Sequence, residues 1–169
     1  MTKLYYWKEG GQNIGHSALD ISFGDVPSKT EYVSFWPTNA NDWKKDGMNL
    51  RLPHNFKQDS KMEGGAPESL EISCLDEDRM RTMWRKVKNT YDYNFLLENC
   101  STLVMQILCE GGATLAYAVN NFACRQIVWT PGTTWILGKM INAKATVILR
   151  QRKLGFKPET PGLLDFTGY

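Results

Sequence analysis

Apolar and polar positions alternate with a period of two in the first part of the chain and recur near every 3.6 residues in the second. Residues 3–7 (Lys-Leu-Tyr-Tyr-Trp) read as a first strand, stopped by Gly10 and Gly11. Residues 16–23 read as a second, with Leu19, Ile21 and Phe23 alternating against Ala18, Asp20 and Ser22. Turn residues at 24–28 lead into residues 31–36 (Glu-Tyr-Val-Ser-Phe-Trp), a third strand ended by Pro37. The short connection predicts an antiparallel hairpin. Residues 38–68 are polar and rich in Asn, Gly and Pro, which predicts a long loop of the kind that often carries function. Residues 68–74 alternate again and predict a fourth strand.

The period then changes. Asp76, Glu77 and Asp78 precede residues 79–89, where Met80, Met83, Trp84 and Val87 share one face. Acids at the front of such a stripe suit the positive end of a helix. Asn99 is a good N-cap for a second helix carrying Leu103, Val104, Ile107 and Leu108 and closed by Gly111 and Gly112. Further helices are expected near 113–126 and 133–142, with residues 145–149 (Ala-Thr-Val-Ile-Leu) as a last strand. The fold class expected is α+β: an antiparallel sheet packed against the helix that opens at Cys100, in one domain spanning residues 1–169.

Composition narrows the function classes. The 169 residues are 42% hydrophobic, enough for a proper core. No run of about eighteen apolar residues predicts a membrane span, so no stable membrane insertion is expected. Twenty basic against 18 acidic residues leave a net charge of +2, which argues against nucleic-acid binding. Residues 1–8 lack the features of a Sec signal, and the cysteines are therefore expected to be reduced thiols. The four cysteines (Cys74, Cys100, Cys109, Cys124) contain no Cys-x-x-Cys pair, and the histidines are two, His16 and His54. No metal and no cofactor are expected from that set. Lys44-Lys45 and residues 150–153 read as solvated faces, and the tryptophans mostly as core.

One cysteine has chemistry-bearing neighbours. Cys100 follows the N-cap directly, where unpaired backbone N–H groups and the helix dipole lower a thiol pKa. The same amides can hold a developing oxyanion. A histidine within reach would complete a nucleophile–base pair; His16, at the mouth of a strand, is the stronger candidate and His54, in the polar segment, the weaker. On these residues alone, a buried structural cysteine and an ordinary polar histidine remain the alternative.

Residues 93–104 (Tyr-Asn-Phe-Leu-Leu-Glu-Asn-Cys-Ser-Thr-Leu-Val) resemble the nucleophile motif of circularly permuted, papain-like NlpC-type cysteine hydrolases, whose relatives include the lecithin:retinol acyltransferase group. Gly15-His16-Ser17-Ala18-Leu19 resembles their histidine strand, and residues 33–37 the strand bearing their third polar residue. The order His16, Ser34, Cys100 is the permuted order, and the resemblance spans residues 12–110. It implies catalytic roles for Cys100, His16 and Ser34. A serine orients imidazole weakly, so Glu31, Asp20 or a backbone carbonyl stays open for that role. The resemblance further implies a cysteine amidase or peptidase acting on a peptide, an isopeptide or peptidoglycan. It would be a bacterial effector or toxin exported by a specialised secretion system and met by a cognate inhibitor protein. An acyltransferase using the same Cys–His site and a non-catalytic binding module are the alternatives.

Overall fold

The computed structural model describes residues 1–10, 15–23, 30–37, 51–53, 55–88 and 99–158. Four strands, β1 (Thr2–Trp7), β2 (His16–Ile21), β3 (Glu31–Val33) and β6 (Glu68–Ile72), form an antiparallel sheet in the order β3-β2-β1-β6. Two short strands, β4 (Phe35–Pro37) and β5 (Arg51–Pro53), pair separately. The helices are α1 (Phe56–Met62), α2 (Glu77–Val87), α3 (Cys100–Glu110), α4 (Tyr117–Cys124), α5 (Pro131–Ala143) and α6 (Ala145–Lys153). The expected α+β class is what the chain adopts, with α3 packed on β2.

Alternation along the strands builds two unlike faces. Leu4, Leu19, Ile21, Val33 and Ile72 enter the main core with Leu103, Val104, Ile107 and Leu108 of α3 and Leu137 and Ile141 of α5. The intervening residues Tyr5, Trp7 and Ala18 turn to the other face, where they meet Tyr32 and the ring of Phe56 from α1. Helix α5 lies so close to the sheet that a β-carbon on Gly138 would stand 2.5 Å from a methyl of Leu4 and 3.2 Å from one of Leu70.

Several local expectations needed correction. Residues 145–149 are the start of helix α6, not a strand. Only Ile148 is buried there, with Ala145 and Arg152 half-buried three and four residues to either side, a helical spacing that overrides the β-branched run. The third strand divides at Ser34 into β3 and β4, which belong to different ladders. The second ends at Ile21, because Ser22 takes a left-handed φ of 64°. Residues 38–68 are not a continuous loop. Asn55 accepts from the Gln58 backbone N–H while the Gln58 side chain accepts from that of Asn55, a reciprocal cap that starts α1. Asn99 opens α3 as the sequence indicates, while the acids expected ahead of a helix at 79–89 include its cap, Asp76, and its first turn, so that α2 starts at Glu77. Among the described residues, no helix is long and apolar enough to cross a membrane.

Gly138→Val should overpack the α5–β1 contact and destabilise the protein by about 2 kcal/mol. That lowers the thermal midpoint by roughly 5 °C in a chain of this size. An unchanged melting temperature would mean that α5 does not sit on β1 this tightly.

Candidate active site

Helix α3 begins at the end of the sheet where β1 finishes and β2 starts. The Asn99 side chain accepts from the Thr102 N–H at 3.0 Å and donates to the Trp129 carbonyl at 3.0 Å, which fixes the first turn against the segment leading into α5. Cys100 is the first helical residue, so its own N–H and that of Ser101 have no acceptor within the helix. The sulfur receives the Ser17 backbone N–H and lies 3.8 Å from the Ser101 hydroxyl. Burial alone would raise this thiol's pKa. The charge of His16, its hydrogen bond and the Ser17 N–H override burial and hold the thiol below its ordinary value.

Strand β2 delivers His16. Gly15 just before it has a φ of +78°, and a β-carbon there would stand 2.9 Å from the Trp7 carbonyl, so the turn into the strand requires glycine. The imidazole is 1% exposed. Its Nε2 lies 2.9 Å from the Ser34 hydroxyl and 3.1 Å from Asp59 Oδ2, which leaves Nδ1 as the nitrogen for the thiol. Burial would depress the imidazolium; the Cys100 charge and the Asp59 carboxylate more than offset it and raise the pKa.

Asp59 is the residue that sequence reasoning missed. It sits on α1, wholly buried, and four groups converge on it. Tyr32 donates its hydroxyl to Oδ2 at 2.7 Å and Trp36 its indole N–H to Oδ1 at 2.9 Å, while His16 and the Ser34 hydroxyl supply further hydrogen bonds. Burial pushes this carboxyl up, but the His16 hydrogen bond and charge, with Ser34 and Tyr32, bring it below the usual carboxylate value. The other orienting candidates are engaged differently: Glu31 pairs with Arg85, and Asp20 feels the charge of Lys3. The one signal for Asp59 in the sequence was the Asn55–Gln58 cap, which places an acid on a helix inside a polar stretch.

The structure thus brings Cys100, His16 and Ser34 together and adds Asp59. His54 lies outside the described residues, as does Trp43. Trp84 and Trp129 are core residues, as expected, but Trp36 belongs to the site, its ring 4.8 Å from the imidazole. Cys74 and Cys109 are buried thiols whose pKa burial raises, and Cys124 is exposed. Among the described residues, no group of three or more His, Cys, Asp or Glu side chains could hold a metal ion. Chemically, the arrangement is a thiol of lowered pKa hydrogen-bonded to a buried histidine of raised pKa, with backbone N–H groups at the helix start available to a carbonyl oxygen.

At pH 6, where an ordinary thiol is almost wholly protonated, iodoacetamide should modify Cys100 ahead of Cys74, Cys109 and Cys124. Peptide mapping that finds the label first on another cysteine would contradict the lowered pKa of Cys100.

Two comparisons with known proteins are empty: no curated protein and no solved structure matches the chain. A family model does match, over residues 40–153, and it is described as the IcsB middle domain. The matched stretch contains Asp59 and Cys100, while His16, Ser34 and Trp36 precede it. Since it covers more than half of the sequence, the chain belongs to the IcsB middle domain family.

Proposed function

We propose that this chain is a cysteine hydrolase of the amidase or peptidase class, working through an acyl thioester on Cys100. The observation that carries the reading is the buried His16, which meets the Asp59 carboxylate through Nε2 and shares a hydrogen bond with the Cys100 thiol. The Cys100 thiolate attacks the substrate carbonyl carbon and forms the C–S bond, and the oxyanion rests on the N–H groups of the first turn of α3. The His16 imidazolium protonates the leaving amine or alkoxide as its bond to the acyl carbon breaks. Neutral His16 then takes a proton from water, hydroxide adds to the thioester, and the thiolate leaves with the acid released. Asp59 and Ser34 hold the ring in the tautomer and orientation these steps need. The substrates in view are a peptide, an isopeptide or peptidoglycan. Membership of the IcsB middle domain family supports a role as a bacterial effector exported by a specialised system.

A second reading passes the acyl group to a nucleophile other than water. Ile127 is 89% exposed and Val128 38%, immediately before Trp129, whose carbonyl holds Asn99. Apolar side chains beside the nucleophile helix favour an apolar acyl group.

The test is a variant series read by intact mass and turnover on acyl substrates. Cys100→Ala should abolish thioester formation and turnover. His16→Ala should lower turnover by roughly two or more orders of magnitude, the scale of general-base loss. Asp59→Asn should cost about tenfold or more, and Ser34→Ala less than Asp59→Asn, because the carboxylate is the stronger orienting group. Full activity in a folded Cys100→Ala protein would end the reading. An adduct that leaves Cys100 only when an amine is added, and not in water, would select the transfer reaction.

A further inference from the structure

The half-buried indole of Trp36 touches both halves of the His16–Asp59 pair. Its ring lies 4.8 Å from the imidazole with the two planes 30° apart. Its N–H is bonded to Asp59 Oδ1, the carboxylate oxygen that does not meet His16 or Tyr32. A second indole, Trp7, stands 5.5 Å from the imidazole at 43°. Trp7 is buried, and its N–H is bonded to the Gly65 carbonyl, which ties it to the segment after α1. The titratable groups facing the imidazole are Cys100 from α3, Asp59 from α1 and Glu63 at the C-terminal cap of α1, with Tyr32 of β3 acting through Asp59. The tryptophans add no charge, yet an aromatic face attracts a cation electrostatically, most strongly when that cation is removed from water, as His16 is here.

The geometry points to Trp36 as a positioning residue of this site, whose indole face backs the His16 imidazolium and whose N–H fixes Asp59. The inference rests on the Cys100–His16 reading above, and its readout is the state of His16, not turnover. The two contributions separate by substitution. Phenylalanine keeps a face without the N–H; leucine and methionine keep neither, and methionine also fills much of the volume. Losing the face removes stabilisation from the charged ring only, so His16 gives up its proton at lower pH. Losing the N–H leaves the ring's charge supported but frees Asp59 to move.

Histidine-labelled protein suits the measurement, because the sequence holds two histidines and His54→Gln assigns the other signal. In the wild type, His16 should titrate well above the ordinary value of about 6.5, with a low-field proton signal from Nε2–H. In Trp36→Leu and Trp36→Met the titration should fall by about half a pH unit or more. Trp36→Phe should stay within about 0.3 of wild type, while its low-field signal broadens into exchange with water. If Leu does not fold, the Met and Phe pair decides. The inference is overturned if Leu and Met leave His16 unmoved, if Phe lowers it as far as Leu, or if the low-field signal is the same in all variants. A wild-type His16 that titrates near the ordinary value removes the ion pair itself, and so sinks the functional reading along with this one.

Discussion

The site depends on one placement: His16 occupies the first position of β2, at the end of the sheet where its two layers meet. From the core layer, α3 brings the Cys100 thiol and Ser17 donates its backbone N–H to the sulfur. From the aromatic layer, α1 brings the Asp59 carboxylate to the other ring nitrogen. A strand residue further along would face one layer alone, because successive side chains point to opposite faces. The end position frees the imidazole to meet groups from both. Gly15 makes the sharp entry possible, since the carbonyl of Trp7 leaves no room for a side chain there.

The two layers contribute differently to precision. Cys100 rides on a helix packed along β2 and α5, and the N-cap of that helix is bound to the Trp129 carbonyl. Its position is therefore set by the main core. Asp59 rides on a helix of seven residues that is held by side chains: Phe56 against Tyr5, and the carboxylate itself against Tyr32, Trp36 and His16. The orienting group thus helps to dock the element that carries it. A short helix of this kind has little stability of its own, so tertiary contacts decide whether it forms.

This difference explains how much was legible in the sequence. The sheet and the α2 and α3 helices follow from alternation and caps, local signals with clear periods, whereas the Cys100–His16–Ser34 grouping was implied only by the resemblance of residues 12–110 to the permuted papain-like hydrolases. Asp59 was invisible to the same reasoning because α1 has no apolar stripe to announce it; its one buried position within the helix is the acid itself. The Asn55–Gln58 cap was the available clue. Residues 145–149 failed in the opposite way: a β-branched run suggested a strand, but the burial of Ile148 on a helical face outweighed local propensity. Ser34 interrupts a run that looked continuous, and the break lets β4 carry Trp36 to the imidazole while β3 leaves Tyr32 on Asp59.

Burying this set of groups has an electrostatic cost, and the neutral residues around it answer that cost. On the proposed reading, with Cys100 as thiolate, Asp59 as carboxylate and His16 as imidazolium, two negative charges would share one positive charge in a region that water scarcely reaches. An unbalanced buried charge is unstable unless donors satisfy it. Here the donors are uncharged and held by the fold: the Tyr32 hydroxyl, the Trp36 indole N–H and the Ser34 hydroxyl on the carboxylate, and the Ser17 backbone N–H on the sulfur. They spread the excess negative charge without adding a second cation, which would compete with His16 for both anions. A lysine or arginine in the place of Tyr32, Trp36 or Ser34 would neutralise the carboxylate directly and weaken its hold on the imidazole. On that reading, the density of neutral donors around Asp59 is what lets a thiolate and a carboxylate be buried together beside a single imidazolium.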